Sequence, residues 1–172
     1  PTWMGVGGRM LAKLPQIEDI NVTSWHIITS FSEYKKLIIK LQTEVDAVAL
    51  LGIFGFKDEK GDLVPYTEVL RWTAENSKLP DFSFWKDRIS YGTLCTVTVS
   101  GYEQGLAAGN LALSILKDNK SPSSLTMKPS IKGEPVISLA RARKLGINIM
   151  AEVLLSSDVI TDFKWDTSEH KK

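Results

Sequence analysis

Residues 92–116, GTLCTVTVSGYEQGLAAGNLALSIL, pass from a β-branched segment into a helical one across a single polar turn. Residues 93–99 are rich in Thr and Val, whose branched side chains suit a pleated, packed strand. Ser100, Gly101, Tyr102 and Glu103 then spell S-x-x-E, a capping box. In it the Ser100 hydroxyl accepts from the Glu103 amide while the Glu103 carboxylate accepts from the Ser100 amide. On the helix that follows, Gly105, Ala108, Gly109 and Ala112 recur at i, i+3, i+4 and i+7, so one face is almost without side chains. Such a face is expected to lie close against a sheet. The turn offers amides and a hydroxyl at a helix N-terminus with Tyr102 beside them, which suits a polar or anionic ligand group.

With 172 residues, 43% hydrophobic and 24% charged, the chain can build one domain with a real core. Its 21 Lys and Arg against 20 Asp and Glu leave a net charge of +1, which gives no general attraction to nucleic acid or an anionic membrane. The single cysteine, Cys95, has no internal disulfide partner and sits in an apolar strand, where a buried, inert thiol is expected. The longest apolar run, residues 47–56, is short of the about 20 residues that a bilayer requires. The chain is expected to be soluble. It opens on Pro1 with no signal-peptide pattern, so an N-terminal part is expected to have been removed.

Residues 4–14 suggest a short helix ended by Pro15, and Gly5-Val6-Gly7-Gly8 lacks the strand and Lys-Ser/Thr ending of a phosphate loop. Residues 22–28 alternate as a strand, and Ser30 with Glu33 forms a second capping box. The helix after it places Tyr34, Leu37, Ile38 and Leu41 on one face. Residues 45–53 then form an apolar run of the kind found in a strand covered on both sides, completing a right-handed β-α-β unit. Pro65 opens a helix to about residue 76 with Tyr66, Val69, Leu70 and Thr73 inward. Residues 81–85 alternate as a third strand and residues 93–99 make a fourth. Residues 126–131 and 134–137 read as extended pieces broken by Pro129 and Pro135. Ser138 caps a last helix through Leu145, with Gly146 at its C′ position. Strands alternating with helices predict an α/β fold: a three-layer αβα sandwich on a mainly parallel sheet. Residues 1–165 read as one domain and 166–172 as a disordered tail.

Ligands of parallel sheets bind outside the carboxyl ends of the strands. Here those ends supply Thr29, Ser30 and Phe31, then Phe54 and Phe56, then Trp85 and Asp87, then Ser100 and Tyr102. Aromatic walls with a few polar groups describe a small-molecule pocket. The same aromatics could instead cover the end of the sheet or form a protein interface. Catalytic patterns are missing. His26 lies next to Trp25 in the first strand, where a half-buried sheet histidine is expected, and His170 is in the tail. With one Cys and two His no zinc set exists, and neither G-x-S-x-G nor a Walker sequence is present. Asp58 and Glu59 fall in a solvated turn, and Arg141, Arg143 and Lys144 suit a helix C-terminus. Neither an enzyme nor a cofactor is expected.

Tyr91-Gly92-Thr93-Leu94, the run from Val99 to Gly105, and Ile115-Leu116 closing the small-residue helix form one family-like block. Ser121-Pro122 and the run VISLARARKLGI from Val136 follow it, and Val45-Asp46-Ala47-Val48 precedes it. In this order and spacing the chain resembles the ABC transporter substrate-binding protein family, with its type I periplasmic-binding fold. The resemblance implies two α/β lobes with a small solute between them, in several members an amino acid. It further implies that this chain corresponds to the C-terminal lobe and that its partners are the N-terminal lobe and the membrane permease. A periplasmic or otherwise extracytoplasmic location follows from it too. Many relatives carry an Asp where this chain has Ser100, and the loop at 54–64 is longer than usual, so the solute is left open between amino acids and aromatic compounds. The alternative is an extracytoplasmic sensor or an interaction domain of flavodoxin-like architecture.

Overall fold

The computed structural model of the protein describes residues 20–125 and 133–166. Helix α1, Phe31–Leu41, starts where the Ser30 hydroxyl accepts from the Glu33 amide at 3.3 Å. It buries Phe31, Tyr34, Ile38 and Leu41, the face set by helical spacing. Helix α2, Tyr66–Asn76, begins directly after Pro65 and buries Val69, Leu70, Thr73 and Ala74. The two helices meet through the Tyr34 and Thr73 hydroxyls, 2.7 Å apart. Because Thr73 donates to the Val69 carbonyl, Tyr34 is the donor of that pair. Burial pushes the Tyr34 phenol above its ordinary range, which keeps it protonated and donating.

Five strands form one sheet in the order β1 (Val48–Ala49), β2 (Asp81–Ser83), β3 (Cys95–Thr98), β4 (Glu134–Ser138) and β5 (Asp158–Ile160). The β1, β2 and β3 strands are mutually parallel, β4 runs antiparallel to β3, and β5 is parallel to β4. The fold is therefore α/β on a mainly parallel sheet. Helices α3 (Gly101–Leu116), α4 (Leu139–Leu145) and α5 (Ala151–Leu155) complete the regular elements, with 3-10 turns at Lys86–Tyr91 and Pro122–Ser124.

The register pairs Val48 with Asp81 on one side of the sheet, and Phe82 with Cys95 on the other. The first side faces α1, α2 and α4. Its core contains Val48, Leu50, Ile53, Phe56 and Leu79 with the buried faces of α1 and α2. Across it Arg141 of α4 reaches Asp81 of β2, with Nη2 to Oδ2 at 2.7 Å. The second side leaves Phe82, Phe84, Val97 and Val159 exposed.

Three expectations fail in instructive ways. Residues 22–28 form no strand: Val22 and Ile27 are exposed, and the segment's closest approach to a ladder is the single bridge from Ser30 to Lys57. Alternation marks a strand only when a neighbour offers a hydrogen-bonding ladder, and among the described residues none runs beside it, although Ile28 packs against the core. His26 is accordingly exposed, with Nε2 2.9 Å from the Ser24 hydroxyl, rather than half-buried in a sheet. The small face of α3 does not pack on the sheet. No residue of α3 is buried, and added Cβ atoms at Gly105 and Gly109 would meet nothing within 4 Å. Its capping box is nonetheless formed as read on the Ser100 side, at 3.5 Å from the Glu103 amide. Local chemistry started the helix, whereas its packing needed a surface that the described residues do not bring to it. The helix read at 4–14 and the extended piece at 126–131 lie outside the described residues.

Cys95 is half-buried on the open side of the sheet, and burial followed by the charge of Asp81 pushes its thiol above the ordinary value. Alkylation by iodoacetamide at pH 8 is expected to be slower in the folded chain than in the urea-unfolded chain. The rate should rise as pH climbs beyond the ordinary thiol range. Equal rates for both forms at pH 8 would show that the thiol is not suppressed.

Candidate functional site

The carboxyl ends of β1 and β2 point the same way because the two strands are parallel. Beyond them the chain turns through Phe54 on one side and through Phe84, Trp85 and the 3-10 turn Lys86–Tyr91 on the other. These segments, with Tyr66 of α2, bring Phe54, Tyr66, Trp85, Asp87, Arg88 and Tyr91 into one group. Phe54 packs edge-on against Tyr66 at 5.6 Å and against Trp85 at 6.3 Å, and Tyr66 meets Tyr91 at 6.0 Å. The Tyr66 hydroxyl donates to Asp87 Oδ2 at 3.0 Å. Burial, then that bond to Asp87, raises the Tyr66 phenol above its ordinary value.

Beneath the rings lies Arg88, only 1% exposed. Its guanidinium carbon sits 4.1 Å from the Trp85 ring centre and 4.5 Å from that of Phe54, a cation held against two aromatic faces. Nη1 donates to the carbonyls of Leu50 at 3.2 Å and Leu51 at 2.9 Å, tying the turn to the end of β1. Nη2 is buried and has no hydrogen-bond partner. Burial lowers the Arg88 guanidinium from its ordinary value, while Asp87 acts the other way. The arrangement can hold a flat apolar group against Phe54 and Trp85 and can offer polar groups at its edge through Asp87 and Tyr66.

The nine residues read as strand-end candidates divide. Phe54, Trp85 and Asp87 join this group. Phe31 and Phe56 point into the core instead, with Phe56 5.1 Å from Tyr34. Thr29 is exposed, its carbonyl accepting from the Lys57 amide, and Ser30 caps α1. Ser100 caps α3, and Tyr102 is 76% exposed. No ring contact or hydrogen bond joins Tyr102 to the Phe54 and Trp85 group among the described residues. Sequence reading did not single out Tyr66 for the site, reading it as inward, and it is indeed partly buried against the core. Nor did it single out Arg88, and Tyr91 entered only as part of the family-like run. The available signal was Trp85-Lys86-Asp87-Arg88: a cation three residues after a strand-end aromatic returns beneath it when the turn is 3-10.

A separate groove of about 440 Å³ runs between the α1 start and the 58–65 loop, lined by Phe31, Lys35, Asp58, Lys60, Leu63 and Glu68. Among the described residues no three His, Cys, Asp or Glu side chains are grouped to hold a metal ion. No helix among them is long and apolar enough to cross a membrane.

Residues 61–160, more than half of the chain, match the family model described as ABC transporter substrate binding protein. The chain belongs to that family. Solved structures agree on the fold. An ABC domain from Streptococcus pneumonia in complex with L-Trp is 21% identical with a TM-score of 0.52, over 77% of this chain and 44% of that one. A conserved domain protein from Vibrio cholerae is 19% identical with a TM-score of 0.58, over 93% of this chain and 50% of that one. A substrate binding protein with adhesive properties from Clostridium difficile, in a ligand-free, open structure, is 17% identical with a TM-score of 0.59, over 78% and 42%. This ABC transporter substrate-binding chain thus spans half or less of the length of the structures it resembles. No curated protein matches it. The family match includes Trp85, Asp87, Arg88, Ser100 and Tyr102, and begins after Phe54 and Phe56.

Proposed function

We propose that this chain is a solute-binding lobe of an ABC transporter receptor, and that it binds a small aromatic or amino-acid solute at the carboxyl ends of β1 and β2 without chemically altering it. The observation that carries the reading is the group of Phe54, Trp85, Tyr66 and Asp87, which lies at the strand ends where open α/β sheets bind ligands. Rings set edge to face and partly open to solvent form one wall of a cleft. The partner implied is a second lobe supplying the opposite wall, since closure between two lobes provides contacts from both sides. The membrane permease of the transporter would receive the solute outside the cytoplasm. The family match supports the receptor role, and the relative crystallised with L-Trp makes aromatic amino acids the first solutes to try. Thr29, Ser30, Ser100 and Tyr102 belong to the proposed site as outer contacts, and Phe31 and Phe56 as the core beneath it.

Thermal denaturation tests the assignment. L-Trp, L-Tyr, L-Phe and aliphatic amino acids at millimolar concentration are each added to the chain. A ligand that binds only the folded state raises the melting temperature progressively with its concentration. An increase is expected with the aromatic solutes, and Trp85→Ala should abolish it. A cooperatively folded chain whose midpoint no solute moves would sink the assignment.

A further inference from the structure

Among the described residues two arginines, Arg88 and Arg141, are fully buried, each 1% exposed, and they are treated differently. Arg141 is neutralised. Its Nε and Nη2 both donate to Asp81 Oδ2, and its remaining donors reach the carbonyls of Ala74 and Leu79. Arg88 has no such partner. No carboxylate among the described residues makes an ion pair with it, and Asp87 beside it in sequence takes the Tyr66 hydroxyl. Nη1 is satisfied by two backbone carbonyls, but Nη2 is left without an acceptor.

Burying a cation with no carboxylate paired directly to it, Asp87 acting only at a distance, and leaving one of its donors unmade, costs folding free energy on both counts. A purely structural clamp would gain from an acid at this point, as Arg141 does. The guanidinium lies against Phe54 and Trp85, two rings that are themselves 52% and 38% exposed. Two partly exposed aromatic side chains thus stand between the cation and solvent.

We propose that Arg88 is the anchor for a carboxylate carried by the solute, its Nη2 pairing with a carboxylate oxygen when the ligand's flat part displaces Phe54 or Trp85 from above the guanidinium. This rests on the solute-binding reading above and sharpens it to a class: planar or aromatic carboxylic acids, amino acids included. No bond is made or broken. A charge-assisted hydrogen bond in a desolvated site is the gain, and the rings stack on the ligand rather than on the cation.

Three probes separate the parts of such a ligand: indole-3-propionate has ring and carboxylate, tryptamine has ring and amine, and acetate has the carboxylate alone. With the whole chain, indole-3-propionate is expected to bind at least about tenfold more tightly than tryptamine, read from the concentration dependence of the melting temperature. Acetate is expected to bind more weakly than indole-3-propionate. In Arg88→Lys, which keeps the charge but loses the fork, the ratio of indole-3-propionate affinity to tryptamine affinity should fall several-fold. If that variant does not fold, the wild-type chain decides by NMR. The Arg88 Nε–Hε resonance should shift on titration with indole-3-propionate and stay in place with tryptamine. Tryptamine binding as tightly as indole-3-propionate would overturn the carboxylate anchor and leave the solute-binding reading standing. A preference undiminished in folded Arg88→Lys, or an unmoved Arg88 resonance, would overturn it equally. Binding of none of the three probes, nor of any solute in the amino-acid panel, would overturn both.

Discussion

Asp81→Ala is expected to cost about 3–5 kcal/mol of folding stability and to lower the melting temperature by roughly 10 °C. Asp81 lies at the start of β2 on the covered side of the sheet and is fully buried. Its Oδ2 takes two hydrogen bonds from Arg141, at 2.7 and 3.1 Å, and its Oδ1 takes the Leu94 amide at 2.6 Å. One carboxylate thereby ties β2 to the approach to β3 and to α4. Burial pushes the Asp81 carboxyl above its ordinary value, with the guanidinium and the amide pulling it back down. Removing the carboxylate leaves the Arg141 cation buried and uncompensated, and this is the source of most of the loss. The net worth of the intact pair is smaller, because both ions gave up water to form it. Asp81→Ala combined with Arg141→Met should accordingly be less damaging than Asp81→Ala alone, measured by urea denaturation of all four forms. A single-variant loss below about 1 kcal/mol would remove the pair from the account of this fold.

Gly92→Val is expected to be comparably damaging, at about 3–5 kcal/mol, through overpacking added to backbone strain. Gly92 ends the 3-10 turn Lys86–Tyr91 with φ at 117°, a region that side chains rarely adopt. Space fails as well as angle. A Cβ there would stand 2.8 Å from Ala74 Cβ, 2.9 Å from the Trp165 ring and 3.1 Å from the Leu70 carbonyl. Gly146 offers the control, since it too has positive φ, 68°, but a Cβ there meets nothing within 4 Å. Gly146→Ala should therefore cost only about 1 kcal/mol, the left-handed term alone. Chemical denaturation of both variants checks the contrast, and equal losses would show that crowding at Gly92 contributes nothing. Because the turn that Gly92 ends carries Asp87, Arg88 and Tyr91, Gly92→Val should also weaken any ligand-induced rise in melting temperature beyond its effect on stability.

Much of the fold was legible because local chemistry dictates it. The hydroxyls of Ser30, Ser100 and Ser138 each cap a helix as their sequence context required, and Gly146 ends α4 in the left-handed conformation. The spacing of Tyr34, Ile38 and Leu41, and of Val69, Leu70 and Thr73, marked the buried faces of α1 and α2. The family-like order of segments pointed to the same α/β class. These signals live within a few residues of chain, where capping bonds and helical periodicity act.

What local signals cannot carry is the identity of the neighbour. Among the described residues, 22–28 have the alternation of a strand but meet no partner strand, and α3 has a face suited to close packing but meets no surface beneath it. At the candidate site the sequence by itself put Phe54, Trp85 and Asp87 at strand ends. Only the tertiary structure decided that Phe31 and Phe56 serve the core, and that Tyr66 comes up from α2 to meet Asp87 across 21 residues. It also decided that Arg88 ends beneath two rings with a donor unmade. The physical reason is the same in each case: burial and unsatisfied hydrogen bonding are properties of contacts between distant segments, and the register that makes those contacts is set by the whole sheet.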